Sequence, residues 1–318
     1  MAAGEFDFIR EHLLPLTRGD AAALELSDDA AVLEGLAAPV LASDMLVEGR
    51  HFLTSDGPAV AATRALGSNL SDLAAMGAVP RGFLCSIAWP DHYAPEDRVT
   101  FVEAMARAAA TYRLPLLGGD TTSGSSDLVV SLTVIGDGSG GVLHRKGAQV
   151  GDDVWVSGTI GDAVLGLSIA KGELDTHALL LERYQNPRPR LELGQALHGL
   201  ASACIDISDG LVADAGHIAD AAGVGIEIET ALMPWSAPVL HWLENEGQAG
   251  VETLIAGGDD YELLFTAPHE KASQVLALSR EIGVELTWIG RVTEGAGVRV
   301  LDDAGEPIAM ERGGFTHF

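Results

Sequence analysis

Apolar positions along the chain switch repeatedly between two spacings. Consecutive or alternating apolar runs, as strands carry, fall at 40–42, 83–89, 114–117 and 128–135. Helical spacing falls at 5–16, 58–77 and 95–113. The second of these helices has Pro58 near its start and Gly77 at its end. The third carries Pro95 and Glu96 in its first turn. A second series follows, with strands expected at 154–157, 203–207, 225–229, 261–267, 285–290 and 297–301. Its helices are expected at 161–171, 189–201, 210–222 and 269–282. Between the series lie Gly136, Gly138, Gly140, Gly141, Gly147 and Gly151, with little that could form a core. The pattern predicts an α/β fold of mixed sheets in two domains, 1–137 and 150–318, joined by a glycine-rich junction at 138–149.

Composition narrows the function. Hydrophobic residues are 47% of 318, ample for two cores. Lys plus Arg is 19 against 46 Asp plus Glu, a formal charge of −27. A chain so short of cations is not expected to be a general nucleic-acid binder, which must neutralise phosphates itself. Phosphate chemistry remains open, because divalent metals can supply positive charge. The two cysteines, Cys85 and Cys204, lie far apart, which speaks against a disulfide scaffold or zinc knuckle. Every apolar stretch is broken well before the roughly 18 residues of a membrane helix, so no membrane partner is expected and a reducing cytoplasm is the expected setting. There is no G-x-x-x-x-G-K-[ST], no G-x-S-x-G, no H-E-x-x-H and no protein-kinase motif set.

What remains is a series of aspartates at or near strand ends. Asp28 and Asp29 precede Ala30-Ala31-Val32-Leu33, and Asp44 follows a short apolar run. Asp120 follows Leu117-Gly118-Gly119, where glycines bring backbone N–H groups close to a phosphate. Asp206 and Asp209 share Ile205-Asp206-Ile207-Ser208-Asp209-Gly210, and Asp259-Asp260 follow Gly257-Gly258. Taken singly, each reads as a cap or turn residue. Asp72 is the least natural as plain structure. Its neighbours Leu70, Leu73, Ala74 and Met76 are apolar round most of a helix, and an unpaired buried carboxylate is costly. Taken together, converging carboxylates suit Mg2+, which prefers oxygen ligands, with Ser43 a weaker one. Arg145-Lys146 is the leading cationic pair for gripping phosphate, against the ordinary reading of a solvated basic turn. His51 is a loop histidine seven residues past Asp44, within reach of a substrate or without any role.

The motifs occur in a definite order. Gly4-Glu5-Phe6, Asp28-Asp29-Ala30-Ala31, Asp44-x-Leu46-Val47-Glu48-Gly49-x-His51-Phe52 and Asn69-Leu70-Ser71-Asp72-Leu73-Ala74-Ala75-Met76-Gly77-Ala78 come first. Gly118-Gly119-Asp120-Thr121-Thr122, Gly151-Asp152, Gly158-Thr159-x-Gly161-Asp162, Asp206-Ile207-Ser208-Asp209-Gly210-Leu211 and Gly257-Gly258-Asp259-Asp260-Tyr261-Glu262-Leu263 follow. Together they closely resemble the thiamine-monophosphate kinase family, from Gly4 to Phe315. The resemblance implies the fold of aminoimidazole ribonucleotide synthetase and selenophosphate synthetase. That is an N-terminal domain binding Mg-ATP and pairing its sheet across a homodimer, and a C-terminal domain closing over the cleft. It implies in-line transfer from ATP to thiamine phosphate with several Mg2+ ions, the last step of thiamine diphosphate synthesis. It further implies Asp29, Asp44, Asp72, Asp120 and Asp206 as magnesium ligands, with Ser43 assisting and Asp209 on a further metal. Gly119 and Asp120 would contact ATP, with Arg145 and Ser208 on its phosphates. His51, Asp259 and Phe315 would touch thiamine phosphate. The chain departs from the family pattern in four places. Glu25-Leu26-Ser27 stand for G-I-G, Ala42 for a hydroxyl residue, Ser123 for an arginine, and Asp259 for a glutamate.

Overall fold

A computed structural model describes residues 5–27, 30–310 and 314, without the side chains of residues 5 and 6. It divides into two compact units, one of Met1–Leu73 with Val79–Ser139, the other of Ala74–Ala78 with Gly140–Phe318.

The first unit holds β1 (Pro39–Val47), β2 (Val79–Pro90), β3 (Leu116–Ser125) and β4 (Val129–Asp137). They form one mixed sheet in the order β1-β4-β2-β3, in which only β2 and β3 pair parallel. Helices α2 (Gly57–Ala75) and α3 (Pro95–Thr111) are the crossovers between parallel strands, following a one-turn α1 (Glu5–Phe8). Alternate residues of β4, Val130, Leu132 and Val134, are fully buried, as are Leu66, Leu70 and Leu73 of α2. Phe101 of α3 meets Trp89 of β2 edge-on at 5.4 Å, fixing that helix to the sheet. A smaller cluster of Ala23, Leu117 and Ile135 has Ala22, Leu26, Ala31, Leu33 and Leu36 packed against it. Leu41 and Met45 of edge strand β1 stay exposed.

Three expectations change here. The segment 5–16 is not one helix. After α1 it becomes a π turn at Ile9–Leu13 and a 3-10 turn at Leu14–Thr17, because Pro15 has no N–H to extend the α pattern. Asp44 lies inside β1, not at its end, and Gly118-Gly119-Asp120 runs inside β3, not in a turn. Gly119 makes this continuity possible. Its φ is 155°, and a Cβ there would sit 1.8 Å from the Cys85 carbonyl oxygen.

The second unit holds β5 (Asp153–Ser157), α4 (Asp162–Ala170), α5 (Ala178–Gln185), α6 (Leu191–Ala196), β6 (Ala203–Asp206) and α7 (Leu211–Ala222). It continues with β7 (Gly225–Glu229), α8 (Ala237–Ala256), β8 (Leu263–Ala267), α9 (Ala272–Ile282), β9 (Leu286–Thr293) and β10 (Gly297–Leu301). The six strands form a mixed sheet in the order β10-β7-β9-β5-β8-β6. Val154, Val156, Ile205, Ile226, Leu264 and Ile289 bury against Leu211, Ala215 and Ile218 of α7. A second cluster joins Leu165 and Ile169 of α4, Leu180 of α5, and Val239 and Leu254 of α8. The pattern reading had missed α5 and α8. The first is only eight residues long, and the second is kinked at Gly247, which takes a φ of 58°. Among the described residues no helix is long and apolar enough to cross a membrane.

Candidate active site

In the first unit Asp44 lies in β1 and Asp72 near the end of α2, while Asp120 lies in β3 at the opposite edge of the sheet. Asn69 is wholly buried. Its side-chain N–H donates to Ala65 O at 2.9 Å, and its oxygen accepts the Asp44 backbone N–H at 3.0 Å. The sheet is thereby pinned to the helix at the residue bearing the candidate ligand. Asp72 lies three residues further along α2, on the same helical face as Asn69. It is half-buried, between fully buried Ser71 and Leu73. The Asn69 bond thus ties Asp44 to the helix that carries Asp72.

Register places Asp44, Leu132, Cys85 and Gly119 in one row across the sheet, and Asp120 in the next, opposite Ser86. Asp120 is exposed on edge strand β3, takes the Thr121 N–H at 2.9 Å, and makes no ion pair among the described residues. The Ser43 hydroxyl donates to Leu132 O at 2.9 Å and shares a 3.1 Å hydrogen bond with Thr133 Oγ1. His51 closes the turn after β1. Its Nδ1 accepts the Val47 N–H at 2.9 Å, so the neutral ring carries its proton on Nε2. The buried Arg64 holds the same turn, Nε donating to His51 O at 3.1 Å.

In the second unit, β6 ends on the buried Asp206, and the loop beyond it wraps around one carboxylate. Asp214 Oδ2 accepts three successive backbone N–H groups, from Ser208 at 3.0 Å, Asp209 at 3.1 Å and Gly210 at 3.2 Å. Burial, with the charges of Asp206 and Asp209, pushes Asp214 up to about 7, against the pull of those amides. Asp209, Asp214 and His217 offer ligand atoms within 4.8 Å of one another. Sequence reasoning missed Asp214 and His217. Their only signal is the i, i+3 spacing on α7 one turn beyond Asp209.

The Gly257-Gly258-Asp259-Asp260-Tyr261 segment lies directly on this loop. Asp259 N–H donates to Ser208 O at 2.9 Å, and Tyr261 N–H to Ile207 O at 2.8 Å. A Cβ at Gly258 would stand 2.0 Å from Ser208 O. Asp206, Ser208, Asp209 and Asp259 are therefore neighbours. Arg145 is exposed in the strap beside β6, where His144 O accepts the Cys204 N–H at 2.9 Å. Asp29 and Phe315 lie outside the described residues, although Gly314 sits against Ala213 and the Asp209 carbonyl.

Two acids anchor the segment, Glu262 buried and Asp260 half-buried. Glu262 forms a two-pronged pair with Arg190, at 2.6 and 2.5 Å, and accepts the Ser157 hydroxyl at 2.5 Å. Burial raises its pKa, and Arg190 opposes the rise. Asp260 accepts the Gly161 N–H at 3.0 Å, and burial, together with the charges of Asp162 and Glu262, raises it well above 3.8. A carboxyl whose folded pKa lies above its unfolded value stabilises the fold below the unfolded value, and that stability is lost as pH rises through the folded one. Asp260→Asn keeps an acceptor oxygen and cannot ionise. It is expected to raise the thermal midpoint at pH 7–8, with the gain shrinking towards zero as pH falls to the ordinary carboxylate range. Melting curves over that range check this, and a gain independent of pH would contradict the burial of an ionisable Asp260.

The carboxylate donors of both units are hard oxygens, which fit Mg2+, and His217 adds a nitrogen in the second. Residues 27–137 match the AIR synthase related protein N-terminal domain, and residues 149–303 the corresponding C-terminal domain. The thiamine-monophosphate kinase of Caulobacter vibrioides is 40% identical, over 98% of this chain and 90% of that protein. The crystal structure of thiamine-monophosphate kinase from Stenotrophomonas maltophilia is similar at 36% identity and a TM-score of 0.85, over 97% of this chain and 99% of that one. AaThiL complexed with AMPPCP and TMP is similar at 32% identity and a TM-score of 0.79, over 99% and 97%. With full-length relatives at this identity and both domain matches, the chain belongs to the thiamine-monophosphate kinase family.

Proposed function

We propose that this protein transfers the γ-phosphoryl group of ATP to thiamine phosphate, giving thiamine diphosphate and ADP. The observation that supports the reading is the Asn69 bridge, which ties the backbone of Asp44 in β1 to the helix that carries Asp72. Relatives with this activity in their names align over the whole chain, and one was solved with AMPPCP and TMP bound.

The acceptor is a phosphate oxygen, largely ionised at neutral pH, so no protein nucleophile or general base is required. The work is positioning and charge neutralisation. Mg2+ bound here would screen the phosphates of two polyanions that a chain of charge −27 would repel. To the first unit we assign Asp29, Asp44, Asp72 and Asp120 as its ligands, with Ser43 assisting. Gly119 and the Asp120 segment contact ATP, and His51 contacts thiamine phosphate. To the second we assign Asp206 as a ligand and Asp209 for a further metal. Ser208 and Arg145 contact the ATP phosphates, and Asp259 and Phe315 contact thiamine phosphate. The domains implied are 1–137 and 150–318. The exposed Leu41 and Met45 of β1 support a homodimer built on that sheet, and the chain is assigned to the cytoplasm.

The test is coupled ADP release with Mg·ATP and three acceptor conditions: thiamine phosphate, free thiamine and none. ADP release only with thiamine phosphate is expected. Equal release in all three, from folded protein, would overturn the acceptor assignment.

A further inference from the structure

We infer that Tyr261 is a positioning residue that aims the Asp259 carboxylate at thiamine phosphate, which rests on the reading that Asp259 contacts that substrate. Asp259 stands where the family usually has glutamate, so its carboxylate sits on an arm one methylene shorter. A short arm must be aimed by its surroundings. Tyr261 Oη donates to Asp259 Oδ1 at 3.0 Å. Tyr261 is only 9% exposed, so packing restricts where its side chain can point.

The backbone is bent to make this contact. Asp259 and Tyr261 both take left-handed conformations, with φ of 72° and 50°. Residues with a Cβ rarely adopt that region. The two N–H bonds to Ser208 O and Ile207 O hold them there. Asp260, between them, has its carboxylate on Gly161 N–H instead. The alternation sends the first and third side chains to one place and the second to another. A tyrosine that merely filled space would need neither left-handed residue. Strain of this kind persists where surrounding structure over-determines it, as at functional sites.

The experiment is steady-state kinetics of the full chain with Mg·ATP, for Tyr261→Phe, Asp259→Asn and the double variant. Tyr261→Phe keeps the packed ring and loses the donor. It is expected to raise KM for thiamine phosphate about tenfold, as loss of a hydrogen bond to a charged group does. kcat and KM for ATP should stay within about twofold, the pattern of lost uniform binding. Asp259→Asn should raise the same KM at least as much, and the double variant should be no worse than Asp259→Asn alone. Three results would overturn the proposal while leaving Asp259 in its role. They are an unchanged KM in Tyr261→Phe beside a raised KM in Asp259→Asn, effects that add in the double variant, and a parallel loss of kcat, thermal midpoint and both KM values. An unchanged KM in Asp259→Asn would overturn the Asp259 assignment itself, and the proposal with it.

Discussion

Asp72→Asn is expected to lower kcat at least about a hundredfold, the scale of removing one preorganised electrostatic contact. The fold should not notice. Helix α2 is held by Leu66, Leu70 and Leu73, all fully buried, and by the Asn69 bridge to β1. Asparagine has nearly the same shape and a comparable helix propensity, so the thermal midpoint should move by no more than about 2 °C. What the substitution removes is one negative charge of the assigned ligand set. That charge sits close to the apolar Leu70, Leu73, Ala74 and Met76 of the same segment. Its value lies in holding a cation against the phosphates of two substrates. Steady-state kinetics beside a melting curve separates the two effects. Full activity at ordinary Mg2+ would remove Asp72 from the machinery.

Gly119→Ala is expected to have the largest effect on stability. The new Cβ would lie 1.8 Å from the Cys85 carbonyl oxygen and 2.7 Å from its carbon. Both are backbone atoms and cannot rotate away. The parallel pairing of β2 with β3 must part at Cys85 and Gly119. Overpacking of this kind costs about 3 kcal/mol. That corresponds to a fall of roughly 10 °C in Tm. Because Asp120 is the next residue, KM for ATP should rise as well. A thermal midpoint within about 2 °C of wild type would mean that the strands do not approach so closely.

Much of the fold was legible because the chain punctuates itself. Pro58 and Pro95 open helices, and apolar runs mark β2, β4, β5 and β6. The reading went wrong where tertiary contacts decide. A pair of glycines before an aspartate reads as a turn, yet β3 runs through Gly118 and Gly119 because a neighbouring carbonyl fills the space a Cβ would take. The departure at Glu25-Leu26-Ser27 has a visible consequence. Glu25 and Leu26 take φ of 56° and 53°, so the backbone keeps a left-handed course without glycine there.

The site was legible as a set of aspartates but not as a geometry. Asp72 stood out because charge on an apolar helix face needs a reason. Asn69 and Tyr261 did not, since their roles are to hold Asp44 and Asp259, and a holding residue shows only in its contacts. Asp214 was silent for the same cause. Its carboxylate gathers the N–H groups of residues 208–210, and nothing in α7 announces that. The pair of Arg190 with the buried Glu262 joins residues 72 positions apart, beyond any local pattern.

The central claim is that the γ-phosphoryl group passes from ATP to thiamine phosphate. It is tested most directly by supplying ATP labelled with heavy oxygen in the γ-phosphoryl group, with Mg2+ and thiamine phosphate, and weighing the products. The account predicts thiamine diphosphate carrying the label in its terminal phosphoryl group, in amount equal to the ADP formed. Label appearing only in inorganic phosphate, with thiamine phosphate unchanged, would contradict it.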